Sequence, residues 1–382
     1  MNGIRIGRVF GIDIAIHPSW FVIFALFTFS LATGFFPRAY SAWSPAEAWI
    51  VAAVATILLF ASVLAHELGH SLVARAQGIP VRNITLFLLG GVSTLEEEAA
   101  SPGREALMAG AGPLVSLVIG LVSWVAASLL PAPQQVQAVL LYLGLANVAL
   151  AVFNLLPGFP LDGGRVLRAL LWWRSRDRVR ATRGAAAVGR VVGYLFIALG
   201  VLQILGGSPF GGLWLGFIGW VIVQGSRAGA AHEVMQRDLA GATASRIMTE
   251  PAGWLRPFVT LSSATQHGFR DFDSRCLPVE PEEEDQVFDG LICARDLDAE
   301  PRPGWAARRV RDAMVPARDI PVVAPDTAAL DVLRLMQTSR SDRIAVIREA
   351  RLLGFVDATS VDRYLRSRET RRRRPRSRLT AA

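Results

Sequence analysis

Two histidines four residues apart, with a glutamate directly after the first, form the most chemically pointed feature of this 382-residue chain. The segment reads Ala65-His66-Glu67-Leu68-Gly69-His70. On a helix, positions i and i+4 lie one turn apart on the same face, so both imidazoles reach one metal ion. Glu67 stands beside them, placed to take a proton from a metal-activated water. A chain with this content of His and Glu contains the H-E-x-x-H spacing by accident only about 0.003 times. The sequence carries its own control, because His232-Glu233 is followed at the needed position by Gln236. The rival reading of His66 and His70, a polar pair satisfying itself at a helix end, is disfavoured because ionisable groups in apolar segments are costly and usually functional.

A catalytic zinc takes three protein ligands and keeps one position open. The third ligand is expected from another helix ending on the same side of a membrane. The stretch Asn154-Leu155-Leu156-Pro157-Gly158-Phe159-Pro160-Leu161-Asp162-Gly163-Gly164 offers Asp162, the sole acid between Glu105 and Asp177. Either Asp162 ligates, or it caps a helix or pairs with Arg165. Read from the residues alone, Asn154 has an amide that can hydrogen-bond between helices.

The elements that position these residues follow from hydropathy. The chain is 52% hydrophobic and only 19% charged, with a mean hydropathy of +0.36, which excludes a disordered protein. The apolar residues crowd into uncharged runs near the length of a membrane-crossing helix: Trp20–Phe36, Trp49–Ala65, Ala106–Leu130, Val136–Leu156, Val191–Leu205 and Phe210–Val223. The first begins late, lacks a small-residue cleavage site and precedes further spans, so it does not read as a signal peptide. All basic residues are Arg. With six spans, Arg5, Arg8, Arg75, Arg82, Arg104, the cluster Arg165 to Arg190 and Arg227 share the side of both termini, against Arg38 opposite. Basic loops stay cytoplasmic, so both termini are expected there, with His66 and Asp162 on that same side. Ile84–Leu89, Gly90-Gly91 and Val92–Leu95 predict a small membrane-associated β-hairpin turning at Gly-Gly. It either receives an unwound substrate segment by strand addition or is a simple surface hairpin. The small residues Ala109-Gly110-Ala111-Gly112 read as a helix-packing surface.

After Arg227 the chain becomes charged and turn-rich. Ala244–Thr249, Cys276–Val279 and Gly290–Ile292 find weak counterparts in Val310–Met314, Asp342–Val346 and Gly354–Val356. This internal repeat predicts two copies of a small α/β module. Cys276 and Cys293 are too few for a disulfide framework and, on the cytoplasmic side, are expected as reduced thiols. The formal charge of +8 separates into +6 over 1–228, −6 over 229–362 and +8 in the tail from Arg363, which includes Arg371-Arg372-Arg373-Arg374. The basic balance is thus topology plus a tail, not a nucleic-acid surface. A disordered tail drawn to anionic lipid is expected.

H-E-x-x-H on a membrane helix followed by N-x-x-P-x-x-x-x-D-G resembles the site-2 protease family of intramembrane zinc metalloproteases, over roughly residues 1–225. The resemblance implies one zinc ion per chain on His66, His70 and Asp162, Glu67 as general base, and Asn154 holding substrate or the developing oxyanion. It implies a multi-pass cell-membrane endopeptidase that cuts transmembrane segments of other membrane proteins near the cytoplasmic side, in regulated proteolysis of a signalling protein such as an anti-sigma factor. The C-terminal repeat resembles a tandem CBS pair, with a degenerate first copy, which implies an adenine nucleotide. The family's Thr or Ser and Asp positions are here Cys293 and Asp296, then Asp357 and Ser360. These departures favour a structural or homodimerising module. The expected fold is therefore an α-helical polytopic membrane domain (1–228) with a cytoplasmic α/β CBS pair (240–298 and 306–362) and a basic tail (363–382). The rival function is a non-catalytic scaffold or transporter-like protein regulated by the CBS module. Retention of His66, Glu67, His70 and Asp162 together speaks against it.

Overall fold

Ser44 shows how this sequence starts its longest helix. Its hydroxyl accepts the Glu47 amide while the Glu47 carboxylate accepts the Ser44 amide at 2.8 Å, and Pro45 fills the first turn. This reciprocal cap satisfies amides that have no partner inside the helix. The computed structural model describes residues 3–87, 90–95, 99–269, 276–282, 286–298, 304–339 and 341–373. It divides into two units, Met1–Glu233 and Val234–Ala382.

In the first unit, five described helices are long and apolar enough to cross a membrane: α1 (Ser19–Ala39), α2 (Pro45–Ala76), α3 (Pro102–Leu129), α4 (Gln134–Asn154) and, after the short α5 (Asp162–Ser175), α6 (Arg178–Leu205). The sixth expected run, Phe210–Val223, forms the first half of α7 (Pro209–Leu239), which is not among the five. Gly211, Gly212, Gly216 and Gly219 dilute its apolar character. Large apolar side chains such as Leu121, Trp124, Leu145 and Leu202 are exposed on these helices, as a lipid-facing surface requires.

The hairpin belongs to a larger sheet. Strands β1 (Ile4–Val9), β2 (Ile12–Ile16), β3 (Val81–Phe87) and β4 (Gly90–Leu95) pair in that order. β1 and β2 turn at Phe10 and Gly11, both at positive φ, and β2 runs parallel to β3. The Gly-Gly turn is corrected. Phe87 pairs with Gly90 and Leu86 with Gly91, so both glycines lie inside β4 and the connection is residues 88–89, outside the described residues. Ile12, Ile14 and Ile84 pack with Leu64 and Leu68 of α2, seating the sheet on the helix that bears the two histidines.

The second unit contains two three-stranded sheets. One has the order β5 (Cys276–Val279), β6 (Gly290–Cys293), β7 (Val315–Pro316); the other joins β8 (Val322–Val323), β9 (Ile344–Arg348) and β10 (Arg351–Val356) in the order β10-β9-β8. The copies interlock. β7, from the second copy, completes the first sheet, while Thr249 of the first copy bridges to Phe355 in β10. Helices α8 (Ala329–Thr338) and α9 (Ala358–Arg373) belong to the second copy. Two expectations are corrected here. Antiparallel pairing sets Cys276 directly opposite Cys293, and the two form a disulfide instead of remaining free thiols. Residues 363–373 continue α9, with Tyr364 and Leu365 packed on the core, instead of starting a disordered tail; 374–382 lie outside the described residues.

Candidate metal centre

His66 and His70 project from one face of α2 and are buried, 4% and 7% exposed. Their Nε2 atoms lie 3.2 Å apart, and each is 3.2 Å from Oδ2 of Asp162. The three donor atoms form a nearly equilateral triangle. A tetrahedral ion about 2.0 Å from each ligand needs donor separations of about 3.3 Å, so the set fits zinc. The opposite ring nitrogens are engaged elsewhere. His70 Nδ1 donates to the Met108 carbonyl at 2.7 Å, and His66 Nδ1 lies 2.9 Å from the Ser116 hydroxyl. Because a carbonyl only accepts, the proton of neutral His70 sits on Nδ1 and the Nε2 lone pair faces the triangle.

Space at the centre depends on Gly112. A Cβ there would come within 2.2 Å of His70 Nε2 and 2.6 Å of His66 Nε2. Met108, Gly112 and Ser116 therefore form one stripe of α3, four residues apart, against the two imidazoles. The sequence reading assigned Gly112 to helix packing and did not single out Met108 or Ser116. Their i, i+4, i+8 spacing, ending in a polar residue within an apolar run, was the available signal.

Asp162 stands in the first turn of α5, where a carboxylate is favoured by the helix dipole. A shaped turn delivers it: Gly158 has φ +148°, and a Cβ there would strike the Gly189 backbone of α6 at 2.3 Å. Ser226 of α7 donates to the Phe159 carbonyl in the same turn. Burial pushes the Asp162 carboxyl up, but the two imidazoles beside it outweigh this and hold the group at about 2. Of the alternatives for Asp162, the pair with Arg165 is absent within 4.0 Å among the described residues.

Glu67 follows His66 on α2 and is half-buried. Strand β4 meets it at Gly91, where a Cβ would come within 2.4 Å of Glu67 Cγ. Asn154 ends α4, and its amide donates to the Leu150 carbonyl of its own helix at 3.1 Å, a bond within the helix and not between helices. The structure thus brings His66, His70 and Asp162 onto one point with Glu67 next to His66 on α2, and turns the Asn154 amide back on α4.

Apolar helices fit to cross a membrane, with an H-E-x-x-H helix and a distant aspartate converging on one metal position, define a membrane metalloprotease. Known proteins agree. The Peptidase family M50 model matches residues 54–135 and 131–199, and the CBS domain model matches 310–367. The "Putative zinc metalloprotease sll0528" of Synechocystis is 34% identical over 380 residues, 96% of each chain. The "Putative zinc metalloprotease Rip3" of Mycobacterium tuberculosis is 34% identical over 370 residues, 95% of this chain and 93% of its own. Among solved structures, the site-2 protease from Methanocaldococcus jannaschii is similar at 28% identity and a TM-score of 0.43, covering 60% of this chain and 95% of that one. The chain belongs to peptidase family M50, the site-2 protease family of zinc metalloproteases, and carries a C-terminal CBS domain.

Proposed function

We propose that this protein hydrolyses peptide bonds within transmembrane segments of other membrane proteins, near the cytoplasmic side, with one zinc ion per chain on His66, His70 and Asp162. The observation that carries the reading is the donor triangle of 3.2 Å edges over Gly112. A zinc ion held there supplies Lewis acidity and acidifies water. Glu67 takes the proton of the attacking water and passes it to the leaving amine nitrogen. β4 ends the sheet order and passes Glu67 at Gly91, which supports strand addition by an unwound substrate segment beside the base. Asn154 donates one amide hydrogen to Leu150, and its second serves the substrate carbonyl.

The topology carries the cleavage level. His66 lies 21 residues beyond Pro45, about 30 Å along the helix, one hydrocarbon-core thickness. The Arg distribution then sets this end, and both termini, on the cytoplasmic side of the cell membrane, with the apolar half of α7 as the sixth crossing. The substrate class is a membrane-bound signalling protein such as an anti-sigma factor. The basic C-terminal segment meets anionic lipid and not specific nucleic acid. The CBS pair is structural or homodimerising and not a sensor of adenine nucleotide. Asp296, the retained ribose position, is committed to the buried Arg343 and to the Cys293 amide at 2.7 Å, which supports this assignment.

Metal analysis and a cleavage assay in reconstituted vesicles test the proposal together. One zinc per chain is expected, lowered by Asp162→Ala, with cleavage of a model transmembrane substrate abolished by a chelator and restored by zinc. Undiminished zinc in Asp162→Ala removes that ligand, and chelator-resistant cleavage removes the metal mechanism.

A further inference from the structure

A buried ion-pair network lies on the same helices as the metal centre. Arg168 of α5 is 8% exposed, and Glu105 in the first turn of α3 is 1% exposed. Arg168 Nε donates to Glu105 Oε1 at 2.5 Å, and Nη2 also pairs with that oxygen. Nη1 reaches Glu233 of α7 at 3.3 Å, and Arg178 of α6 lies 3.3 Å from the other Glu233 oxygen. The guanidinium also sits 5.1 Å from the Phe159 ring, in the turn that delivers Asp162. Two acids and two guanidiniums make the group formally neutral. Neutrality lets charges stay buried, although it gives no reason for them to be there.

Their placement gives one. The two histidines are fixed to α3 through Met108 and Ser116. Glu105 stands three residues before Met108 on that helix, and Arg168 stands six residues after Asp162 on α5. The Glu105–Arg168 pair therefore ties the element carrying the third ligand to the element that aligns the first two. We propose that Arg168 is a positioning residue for Asp162, holding the carboxylate against the two imidazoles. This rests on the zinc-site reading proposed above. An apolar contact slides with little cost, whereas a buried guanidinium shared between two carboxylates has few alternative positions.

The test uses the full-length protein in detergent. Zinc affinity is measured by chelator competition, and the visible absorption of the cobalt-loaded protein reports coordination geometry. Arg168→Gln is expected to weaken zinc binding by about 10- to 100-fold, the range for residues supporting metal ligands, and to alter the cobalt spectrum. The conservative Arg168→Lys, which keeps a cation between Glu105 and Glu233, is expected to retain more of the affinity than Arg168→Gln. Wild-type affinity and spectrum in a folded Arg168→Gln overturn the proposal. Should that variant fail to fold, Glu105→Gln decides: a loss of about tenfold or more upholds the proposal, and unchanged affinity overturns it. His70→Ala separates the two levels, because full zinc retention there removes the site itself and not merely its support.

Discussion

Both units of this protein bury a cluster of polar side chains, and the clusters differ in kind. In the membrane unit, two imidazole nitrogens and a carboxylate oxygen point at one another from 3.2 Å. In the C-terminal unit, the guanidinium of Arg343, 2% exposed, meets the Asp296 carboxylate, which also accepts the Cys293 amide. The second cluster sets one carboxylate against one guanidinium, so its charges cancel. The first gathers three lone-pair donors, two of them imidazoles aimed inward by hydrogen bonds at their outer nitrogens, so a cation completes it. What makes a buried polar cluster a site is a surplus of one kind of partner.

That comparison breaks if the first cluster does not depend on a cation. Gly112→Ala places a methyl among the ligand nitrogens and is expected to lower zinc affinity by about 100-fold or more. Equilibrium competition with a chelator measures it. The Arg343–Asp296 pair sharpens the contrast from the other side. Arg343→Gln removes the guanidinium from the half-buried Asp296 carboxylate and is expected to cost the C-terminal unit about 1–3 kcal/mol. Denaturant unfolding followed by a probe in that unit reads this change, and zinc content should stay at the wild-type level. The smallest effect is expected at α9, where Asp357 accepts the Ser360 amide at 2.7 Å and Ser360 Oγ accepts the Asp357 amide. Asp357→Ala removes the helix cap for about 1 kcal/mol. A loss several times larger would mean that this end of the unit carries more than a cap.

The sequence made the metal ligands legible because ligand chemistry and helix period constrain them together. His66 and His70 are fixed by a spacing, and Asp162 is the sole acid between Glu105 and Asp177. The residues that shape the centre escaped because their signal is the absence of a side chain or the use of a backbone carbonyl. Gly112 reads as ordinary packing, and Met108 carries no mark at all, until α2 is laid on α3. The alternation Ile4-Ile6 and Ile12-Ile14-Ile16 has a strand's period but was not read as strands, because it sits outside any hydropathic run and the parallel partner of β2 is some 70 residues away in sequence. The repeat in the C-terminal unit was visible, but the exchange of edge strands was not, since β7 is only two residues long. Cys276 and Cys293 were judged by compartment; strand register decides whether they face each other.

The central claim is that Glu67 moves the proton at a zinc centre built by its neighbours. Its most direct test is Glu67→Gln, purified with its metal and assayed on a reconstituted transmembrane substrate. Zinc content at the wild-type level with cleavage slowed by about 10²–10⁴-fold is the predicted result. Cleavage at the wild-type rate with zinc in place would contradict it.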